Sequence, residues 1–246
     1  MATTMAGSTA LVTGATSGIG RAIALQLAER GVEVVVHGRS AERGEKTVRE
    51  IENSGGRARF VAADLTDSQD VRRLAAEAGP VDILVNNAGI YQFGATVDTD
   101  DATFDDHVNV NLRAPYILVQ QLVPAMIERG GGTVVNVSTV AASAPASGAG
   151  IYGATKAGLE LLTRVWADEF GRSGVRVNAI APGPTDTPGV AVTPGVLDAV
   201  AAGTAIGRPA EPSEIAGVVV FLSSPDASYV NGAVVPVSGG QRAIAA

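Results

Sequence analysis

The chain has 246 residues, 46% of them hydrophobic, and carries a formal net charge of −7 with a pI near 4.9. Its 18 Lys and Arg residues are spread thinly, which excludes nucleic acid and anionic membranes as expected partners. The sequence has no cysteine and only two isolated histidines, so disulfides, cysteine-bound metals and a histidine metal site are excluded and no metal is expected.

The chain opens with a β-prone run over residues 8–13, a glycine-rich turn and a helix from Arg21 to Arg30. This order predicts a nucleotide-phosphate site, where free N–H groups at a helix start face an anion. The spacing is Gly-x-x-x-Gly-x-Gly rather than the commoner Gly-x-Gly-x-x-Gly, so the motif alone is weak. The turn residues expected to contact a dinucleotide are Gly14, Thr16, Ser17, Gly18, Ile19 and Gly20.

The second predicted strand, residues 32–37, is followed by Gly38 and Arg39. An acidic residue at this position would hydrogen-bond the 2′-hydroxyl of an adenosine ribose, whereas an arginine accommodates a 2′-phosphate. Arg39 therefore favours NADP(H), and NAD(H) is the alternative. His37 is expected to lie near the adenine as a strand-end residue rather than to act as a catalyst.

A charged helix over residues 42–53 leads to a third strand, 58–63, and then to Asp64. Asp64 is placed equally well to reach the adenine amino group or to cap the helix that starts near Asp67. The fourth strand, residues 81–85, ends in small and amide residues that are suited to lie against a flat cofactor. The cofactor contacts expected in this region are Asp64, Leu65, Asn87, Ala88 and Gly89.

Residues 101–128 are predicted to form one long helix with a kink at Pro115. Asn111 lies on an otherwise apolar stretch of it, where a buried amide costs free energy unless it is hydrogen-bonded. The fifth strand, residues 133–137, ends in a pair of hydroxyl residues, Ser138 and Thr139.

The next predicted helix carries the sequence Tyr152-Gly-Ala-Thr-Lys156. Residues four apart on a helix share a face, and a nearby cation favours the phenolate, so this pair predicts a proton-transfer site. Strands at 175–180 and 234–237 and a helix at 212–222 complete the chain. The alternation of strands and helices predicts a single α/β domain over residues 1–246, with a parallel sheet covered on both faces.

Five motifs occur together in order, and they resemble the classical short-chain dehydrogenase/reductase family, including its 3-oxoacyl-carrier-protein reductases. The resemblance spans nearly the whole chain, and it implies a Rossmann fold of about seven strands. The motifs are Thr13-Gly-x-x-x-Gly-x-Gly20, Asn86-Asn-Ala-Gly89, Asn111, Tyr152-x-x-x-Lys156 and Pro182-Gly183.

The resemblance implies hydride transfer between a nicotinamide and a carbonyl or alcohol carbon. Tyr152 would be the acid or base, and Lys156 would lower the pKa of Tyr152 and hold the nicotinamide ribose. Asn111 would hold a water that passes protons from Lys156 to solvent. In the family the polarising hydroxyl is usually a serine about 13 residues before the tyrosine, which corresponds to Thr139 here, with Ser138 as the alternative. The residues implied near the nicotinamide are Tyr152, Lys156, Pro182, Gly183, Thr185 and Thr187.

The leading function is an NADP(H)-dependent ketone reductase or secondary-alcohol dehydrogenase for a small, fairly apolar molecule. Its pocket is expected to be lined by Tyr91, Phe93, residues 144–150 and a substrate-binding segment at about 188–210. The alternatives are a 3-oxoacyl-carrier-protein reductase, with Arg129 and Arg172 meeting the acidic carrier, and a non-catalytic dinucleotide-binding regulator. The resemblance implies a homotetramer, or a homodimer, and no run of about 18 apolar residues occurs, so we expect a cytoplasmic protein without a membrane partner.

Overall fold

A computed structural model describes residues 5–144, 146–189 and 195–240. Its strands are β1 (Thr9–Val12), β2 (Glu33–Gly38), β3 (Arg57–Ala62), β4 (Ile83–Asn86), β5 (Gly132–Val137), β6 (Val175–Pro182) and β7 (Val234–Val237). They form one parallel sheet in the order β3-β2-β1-β4-β5-β6-β7. The strand order reverses between β1 and β4, so a ligand crevice is expected at the carboxyl ends of these two neighbours.

Helices cover both faces of the sheet. They are α1 (Gly18–Glu29), α2 (Ala41–Asn53), α3 (Ser68–Ala78), α4 (Asp101–Val108), α5 (Ala114–Glu128), α6 (Gly150–Gly171), α7 (Val196–Ala201) and α8 (Pro212–Ser223). One core lies between the sheet and α1, α2 and α8, and the other between the sheet and α3, α5 and α6. Because both faces are buried, the central strands are runs of β-branched residues, as in the Val34–Val36 stretch of β2. The predicted doubly wound parallel sheet is confirmed.

The helix predicted over residues 101–128 is continuous, but it is not α-helical throughout. A π-helical segment, Asn109–Arg113, separates α4 from α5, and within it the Ala114 N–H donates to the Asn109 carbonyl, five residues back. Pro115 has no N–H, so it cannot donate to the Asn111 carbonyl as an α-helix requires. The wider turn keeps the helix continuous, and Asn111 is fully buried within it.

The segment that the sequence marks for substrate binding contains a helix that was not predicted, α7. Its neighbours at 190–194, and Pro145 in the other expected pocket loop, lie outside the described residues. No helix in the described ranges is long and apolar enough to span a bilayer. Within the same ranges no three His, Asp or Glu side chains are grouped so that they could hold a metal ion.

Candidate active site

The start of α1 presents unpaired N–H groups to the crevice. Ser17, which precedes the helix, makes no side-chain cap, and the first turn contains no acidic residue. Gly18 has φ +51°, and a Cβ on Gly20 would lie 2.3 Å from the Gly14 carbonyl oxygen, so both positions require glycine. An uncapped helix N-terminus reached by a close glycine turn fits the pyrophosphate of a dinucleotide.

Thr13 joins this turn to the end of β4. Its hydroxyl accepts the N–H groups of Asn87 and Ala88, each at 3.0 Å, and the Asn87 side-chain amide donates to the Thr13 carbonyl at 2.8 Å. The glycine-rich turn after β1 and the segment after β4 are therefore joined along the base of the crevice. Thr13 belongs to the glycine motif, but its part in this connection was not predicted, since its partners lie more than 70 residues away.

His37 also connects loops at this edge. Its Nδ1 accepts the Gly14 N–H at 3.2 Å, so Nε2 carries the proton and donates to the Ala63 carbonyl at 3.2 Å. Burial lowers the pKa of His37 to about 4, and a neutral imidazole is what these two bonds require. His37 is thus a neutral connector between the glycine turn and the end of β3, which agrees with its predicted position at a strand end.

The expected 2′-phosphate position contains an exposed arginine. Arg39 forms no salt bridge with any residue in the described ranges. A Cβ on Gly38 would lie only 2.4 Å from the methyl group of Thr16. The glycine-rich turn and the end of β2 are therefore in close contact beside Arg39. Ser40 caps α2 through the Arg43 N–H. The site therefore offers an uncommitted guanidinium and the Thr16 hydroxyl to an anion.

Asp64 does not cap α3. Asp67 does so by accepting the Gln69 N–H at 2.8 Å, whereas the Asp64 carboxylate accepts the N–H and hydroxyl of Thr66 at 3.0 and 2.9 Å. That alternative for Asp64 is wrong because the helix begins one residue after Asp67, too far along the chain for Asp64 to reach its first N–H groups. Leu65 is buried beside it.

The proton-transfer pair lies on α6. Lys156 is 3% exposed, and its ammonium donates to the Val137 carbonyl at the end of β5 at 2.8 Å. A Cβ on Gly89 would lie 3.1 Å from Lys156 Nζ and 3.3 Å from Asn111 Oδ1, so the three residues meet where β4 ends. Tyr152 is partly buried on the same helix. The i, i+4 spacing therefore places a phenol and an ammonium at the carboxyl edge of the sheet.

The side chain of Asn111 is committed to protein partners. Its Oδ1 accepts the Ile90 N–H at 2.9 Å, and its amide donates to the Ile90 carbonyl and to Thr155 at 3.0 and 3.2 Å. Both amide hydrogens are therefore used, which offsets the cost of burial. The side-chain amide is therefore not free to hold the expected water, and Pro115, which has no N–H, cannot pair with the Asn111 backbone carbonyl.

Burial dominates the ionisation of both members of the pair. It lowers the pKa of Lys156 to about 8, and it raises the pKa of Tyr152, which the neighbouring Thr139 hydroxyl lowers by a smaller amount. The Tyr152 pKa is therefore raised and not lowered as expected. The physical reason is desolvation, together with the direction of the ammonium, which bonds to Val137.

The structure separates the two hydroxyl candidates. The Thr139 hydroxyl lies beside the Tyr152 phenol and lowers its pKa, whereas the Ser138 hydroxyl is buried and donates to the Glu160 carboxylate at 2.7 Å. Consecutive residues at the end of an extended strand point in opposite directions, which accounts for the split. Only Thr139 faces the phenol.

The loop after β6 returns to the glycine turn. Gly183 donates its N–H to Val237 at 3.0 Å, and the Thr185 hydroxyl donates to the Gly183 carbonyl at 3.0 Å. A Cβ on Gly18 would touch the Thr187 side chain at 3.1 Å, so Thr187 lies over the start of α1. The predicted residues from Pro182 to Thr187 therefore border the same crevice as the phosphate turn.

A chain of buried amides below the site was not predicted. The Asn86 amide donates to Asn136 on β5 at 2.9 Å, and Asn136 donates to the Thr163 hydroxyl on α6 at 2.8 Å. These bonds fix α6, and with it Tyr152, to two central strands. The sequence feature that could have indicated these bonds is Asn136, an asparagine within the otherwise apolar strand β5.

Two aromatic rings flank the Tyr152 phenol. The rings of Tyr91 and Phe93 meet the Tyr152 ring edge to face, with centroids 6.3 and 6.0 Å away. Phe93 is 65% exposed. An uncapped dinucleotide turn, a phenol paired with a hydroxyl, and a buried lysine are together the parts of a dinucleotide-dependent oxidoreductase.

Comparisons with known proteins agree with this class. Residues 14–242 match the family model described as enoyl-(acyl carrier protein) reductase. A cis-4-hydroxycyclohexanecarboxylate dehydrogenase from Sinomonas cyclohexanicum is 41% identical over 96% of both chains. A 3-oxoacyl-(acyl-carrier-protein) reductase from Thermotoga maritima is 35% identical over 95% of this chain and 97% of its own.

Solved structures match over nearly the full length. A short-chain dehydrogenase/reductase family protein is 49% identical, with a TM-score of 0.91 over 97% of this chain and 98% of its own. An angucycline C-6 ketoreductase with bound NADP is 36% identical, with a TM-score of 0.89 over 96% of both chains. This chain belongs to the short-chain dehydrogenase/reductase family. It is therefore an oxidoreductase of the class that acts on alcohol and carbonyl groups.

Proposed function

We propose that this enzyme interconverts a ketone and a secondary alcohol of a small, fairly apolar substrate, with NADP(H) as the hydride carrier. The observation that carries the proposal is the Tyr152 phenol, which lies beside the Thr139 hydroxyl and one helical turn from the buried Lys156. When bound, the dinucleotide supplies hydride to the carbonyl carbon or accepts it from the alcohol carbon. The protein has to position the substrate oxygen and move one proton.

In this proposal Tyr152 gives its proton to the substrate oxygen in reduction and takes it back in oxidation. The Thr139 hydroxyl hydrogen-bonds the same oxygen, and its extra methyl group restricts χ1 compared with serine. Lys156 holds the nicotinamide ribose, and its ammonium adds positive charge beside the phenol. A water on the Asn111 backbone carbonyl carries the proton onward from Lys156.

The dinucleotide is proposed to lie along the carboxyl edge of the sheet. The uncapped N–H groups at the start of α1 would hold its pyrophosphate, and Asp64 and Arg39 would hold its adenosine. The ketoreductase structure with bound NADP supports NADP(H). The residues proposed to hold the group are Gly14, Thr16, Ser17, Gly18, Ile19, Gly20, Arg39, Asp64, Leu65, Asn87, Ala88, Gly89, Tyr152, Lys156, Pro182, Gly183, Thr185 and Thr187.

Arg39 is expected to set the preference for the 2′-phosphate. A hydrogen bond to a charged group contributes about 1.5–3 kcal/mol, so Arg39→Leu should raise the KM for NADPH by roughly ten- to a hundredfold and leave the KM for NADH within about twofold. Initial rates with each dinucleotide measure both constants. Arg49→Leu, which removes an exposed arginine of α2, controls for the lost charge. An equal loss with both dinucleotides would contradict the assignment.

The substrate is proposed to enter between the aromatic rings and the segment at 188–210, of which residues 190–194 lie outside the described part. The Sinomonas relative is named for a cyclic alcohol, and the ketoreductase for a polycyclic compound. Both names support a ring-containing substrate without identifying it.

A carrier-linked 3-oxoacyl thioester is the second candidate, supported by the Thermotoga relative. The proposed carrier contacts now have less support. The Arg129 guanidinium donates to the Val81 carbonyl and pairs with Asp82 at 3.2 Å, so of the two arginines only Arg172 is uncommitted within the described residues. Arg129 precedes β5 and Arg172 precedes β6, so both arginines lie at the amino ends of the strands, whereas Tyr152 lies at the carboxyl ends.

The decisive experiment is the oxidation of NADPH and NADH against ketones, diketones and short 3-oxoacyl thioesters. Faster turnover of free ketones supports the first candidate. Salt-sensitive capture on an acidic carrier protein, together with thioester turnover, would support the second. Dinucleotide binding without turnover of any carbonyl would favour a non-catalytic regulator, whose biological activity would survive loss of the Tyr152 hydroxyl.

We also propose that the chain forms a homotetramer, or a homodimer, through α4, α5 and α6. Apolar side chains are exposed on these helices, among them Tyr116 at 51% and Leu161 at 58%, beside an apolar groove of about 430 Å³. Tyr116→Glu should shift the sedimenting species toward the monomer, and Tyr229→Glu, a fully exposed site, should not. An unchanged assembly would contradict this interface. Cell fractionation would test the proposed cytoplasmic location.

A further inference from the structure

His107 is a fully buried histidine that the proposed reaction does not use. Its Nε2 accepts the N–H of Gln92 at 3.2 Å, and its Nδ1 contacts the Thr103 carbonyl at 2.8 Å. A backbone N–H can only donate, so Nε2 is unprotonated and Nδ1 carries the hydrogen that Thr103 accepts. The imidazole thus works as a fixed neutral acceptor for one backbone group of the loop after β4.

That backbone group, the N–H of Gln92, lies between the two aromatic residues Tyr91 and Phe93. The N–H of Ile90 donates to Asn111 at 2.9 Å, that of Gln92 to His107, and that of Gly94 to the Gly148 carbonyl at 2.9 Å. Alternate residues are therefore anchored through their backbone. In an extended segment the side chains of residues two apart lie on one side, and Tyr91 and Phe93 do both meet the Tyr152 ring.

The two rings form a wall beside the reacting phenol. The Tyr91 hydroxyl lies against the backbone of Gly189, where a Cβ would be 2.0 Å from it, so this ring also borders the segment after β6. Both rings remain substantially exposed, 40% for Tyr91 and 65% for Phe93. A ring-shaped apolar ligand can lie against such exposed aromatic faces and, because it is rigid, loses less conformational freedom on binding than an open chain of the same carbon number.

We infer that His107 is a positioning residue that fixes Tyr91 and Phe93 as an aromatic wall, and that this wall selects ring-containing ketones and alcohols over open-chain ones. The inference rests on the proposed function. His107 does not contact the substrate, and its effect reaches the pocket through the Gln92 backbone.

The test compares a cyclic ketone, 4-methylcyclohexanone, with the open-chain 2-heptanone, which has the same number of carbon atoms. The wild type should show a kcat/KM ratio of at least fivefold in favour of the ring. Phe93→Leu, which removes the ring but not the apolar character, should reduce this ratio about fivefold, mainly through KM for the cyclic ketone. His107→Leu should reproduce that change, and His107→Gln should restore most of the ratio, because its amide can both accept from Gln92 and donate to Thr103.

The control is Val97→Ala, on the same loop, which removes a side chain that is 92% exposed and should leave the ratio unchanged. Fluorescence titration with NADPH shows whether each variant retains a folded dinucleotide site. A wild-type ratio near one, an equal effect of Phe93→Leu on both ketones, or failure of His107→Gln to recover would overturn the inference.

Failure of the proposed function gives a different result, namely no turnover of either ketone by the wild type. The inference is then decided by calorimetric binding of 4-methylcyclohexanol and 2-heptanol to the enzyme with NADP+. Tighter binding of the ring alcohol that is lost in Phe93→Leu and His107→Leu and recovered in His107→Gln supports the wall. Equal binding of the two alcohols overturns it.

Discussion

Tyr152→Phe is expected to lower kcat for ketone reduction by roughly a thousandfold, because general acid catalysis by a positioned side chain contributes about 10²–10⁴. The substitution removes one oxygen and leaves the ring between Tyr91 and Phe93. The dissociation constant of NADPH should change less than about threefold, since the substitution leaves the proposed pyrophosphate site at α1 and the proposed ribose contact of Lys156 untouched. Steady-state rates with the best ketone of the panel and fluorescence titration with NADPH measure the two quantities.

A tyrosine away from the crevice provides the matched control. Tyr229 is fully exposed, so Tyr229→Phe removes the same hydroxyl without touching the site and should keep wild-type rates. The pH profile adds a second readout, because burial raises the pKa of Tyr152 in the free enzyme. The phenol is then protonated across the neutral range, and reduction should not lose its acid until the pH is alkaline. Turnover by Tyr152→Phe within tenfold of wild type would remove Tyr152 from the proton transfer.

Patterns carried by neighbouring residues were predicted well from the sequence. Runs of valine predicted the central strands, because a strand that is buried on both faces has no polar side. The placement of Tyr152 and Lys156 one turn apart on the same helix follows from their spacing alone, and the glycine turn from its position between a strand and a helix. These features depend on residues within one or two helical turns of each other.

Features that depend on distant partners could not be predicted. The acceptors and donors of His37 lie 23 and 26 residues away, and only the folded sheet brings them together. To choose between Ser138 and Thr139, one must know which way each side chain points at the end of β5. To decide whether Asp64 caps α3, one must know the residue at which α3 begins. The ionisation of Tyr152 and Lys156 was misjudged because burial, which a sequence does not record, outweighs the charge of a neighbour.

Lys156→Met should abolish most turnover and, at neutral pH, stabilise the fold against the wild type by removing a buried ammonium. Lys156 is 3% exposed, and its ammonium makes one hydrogen bond to a described residue, to the Val137 carbonyl. Methionine fills a similar volume without charge, although it leaves that carbonyl unpaired, which costs about 1–3 kcal/mol. The difference in unfolding free energy between the two proteins is therefore most informative as a function of pH.

Burial holds the pKa of Lys156 at about 8 in the folded protein, against 10.5 for the unfolded chain. The unfolded state binds more protons between these values, so the stability of the wild type should rise relative to Lys156→Met by about 2 kcal/mol from pH 7 to pH 9.5. Urea unfolding of both proteins across this range gives the difference, in which all other titrating groups cancel. Lys46→Met, an exposed lysine of α2, should give a flat difference. If the difference in unfolding free energy between the wild type and Lys156→Met also did not change with pH, water would have to reach this ammonium. A hydrated lysine beside Tyr152 would act on the phenol through a screened charge, and not from the dry pocket that the structure describes.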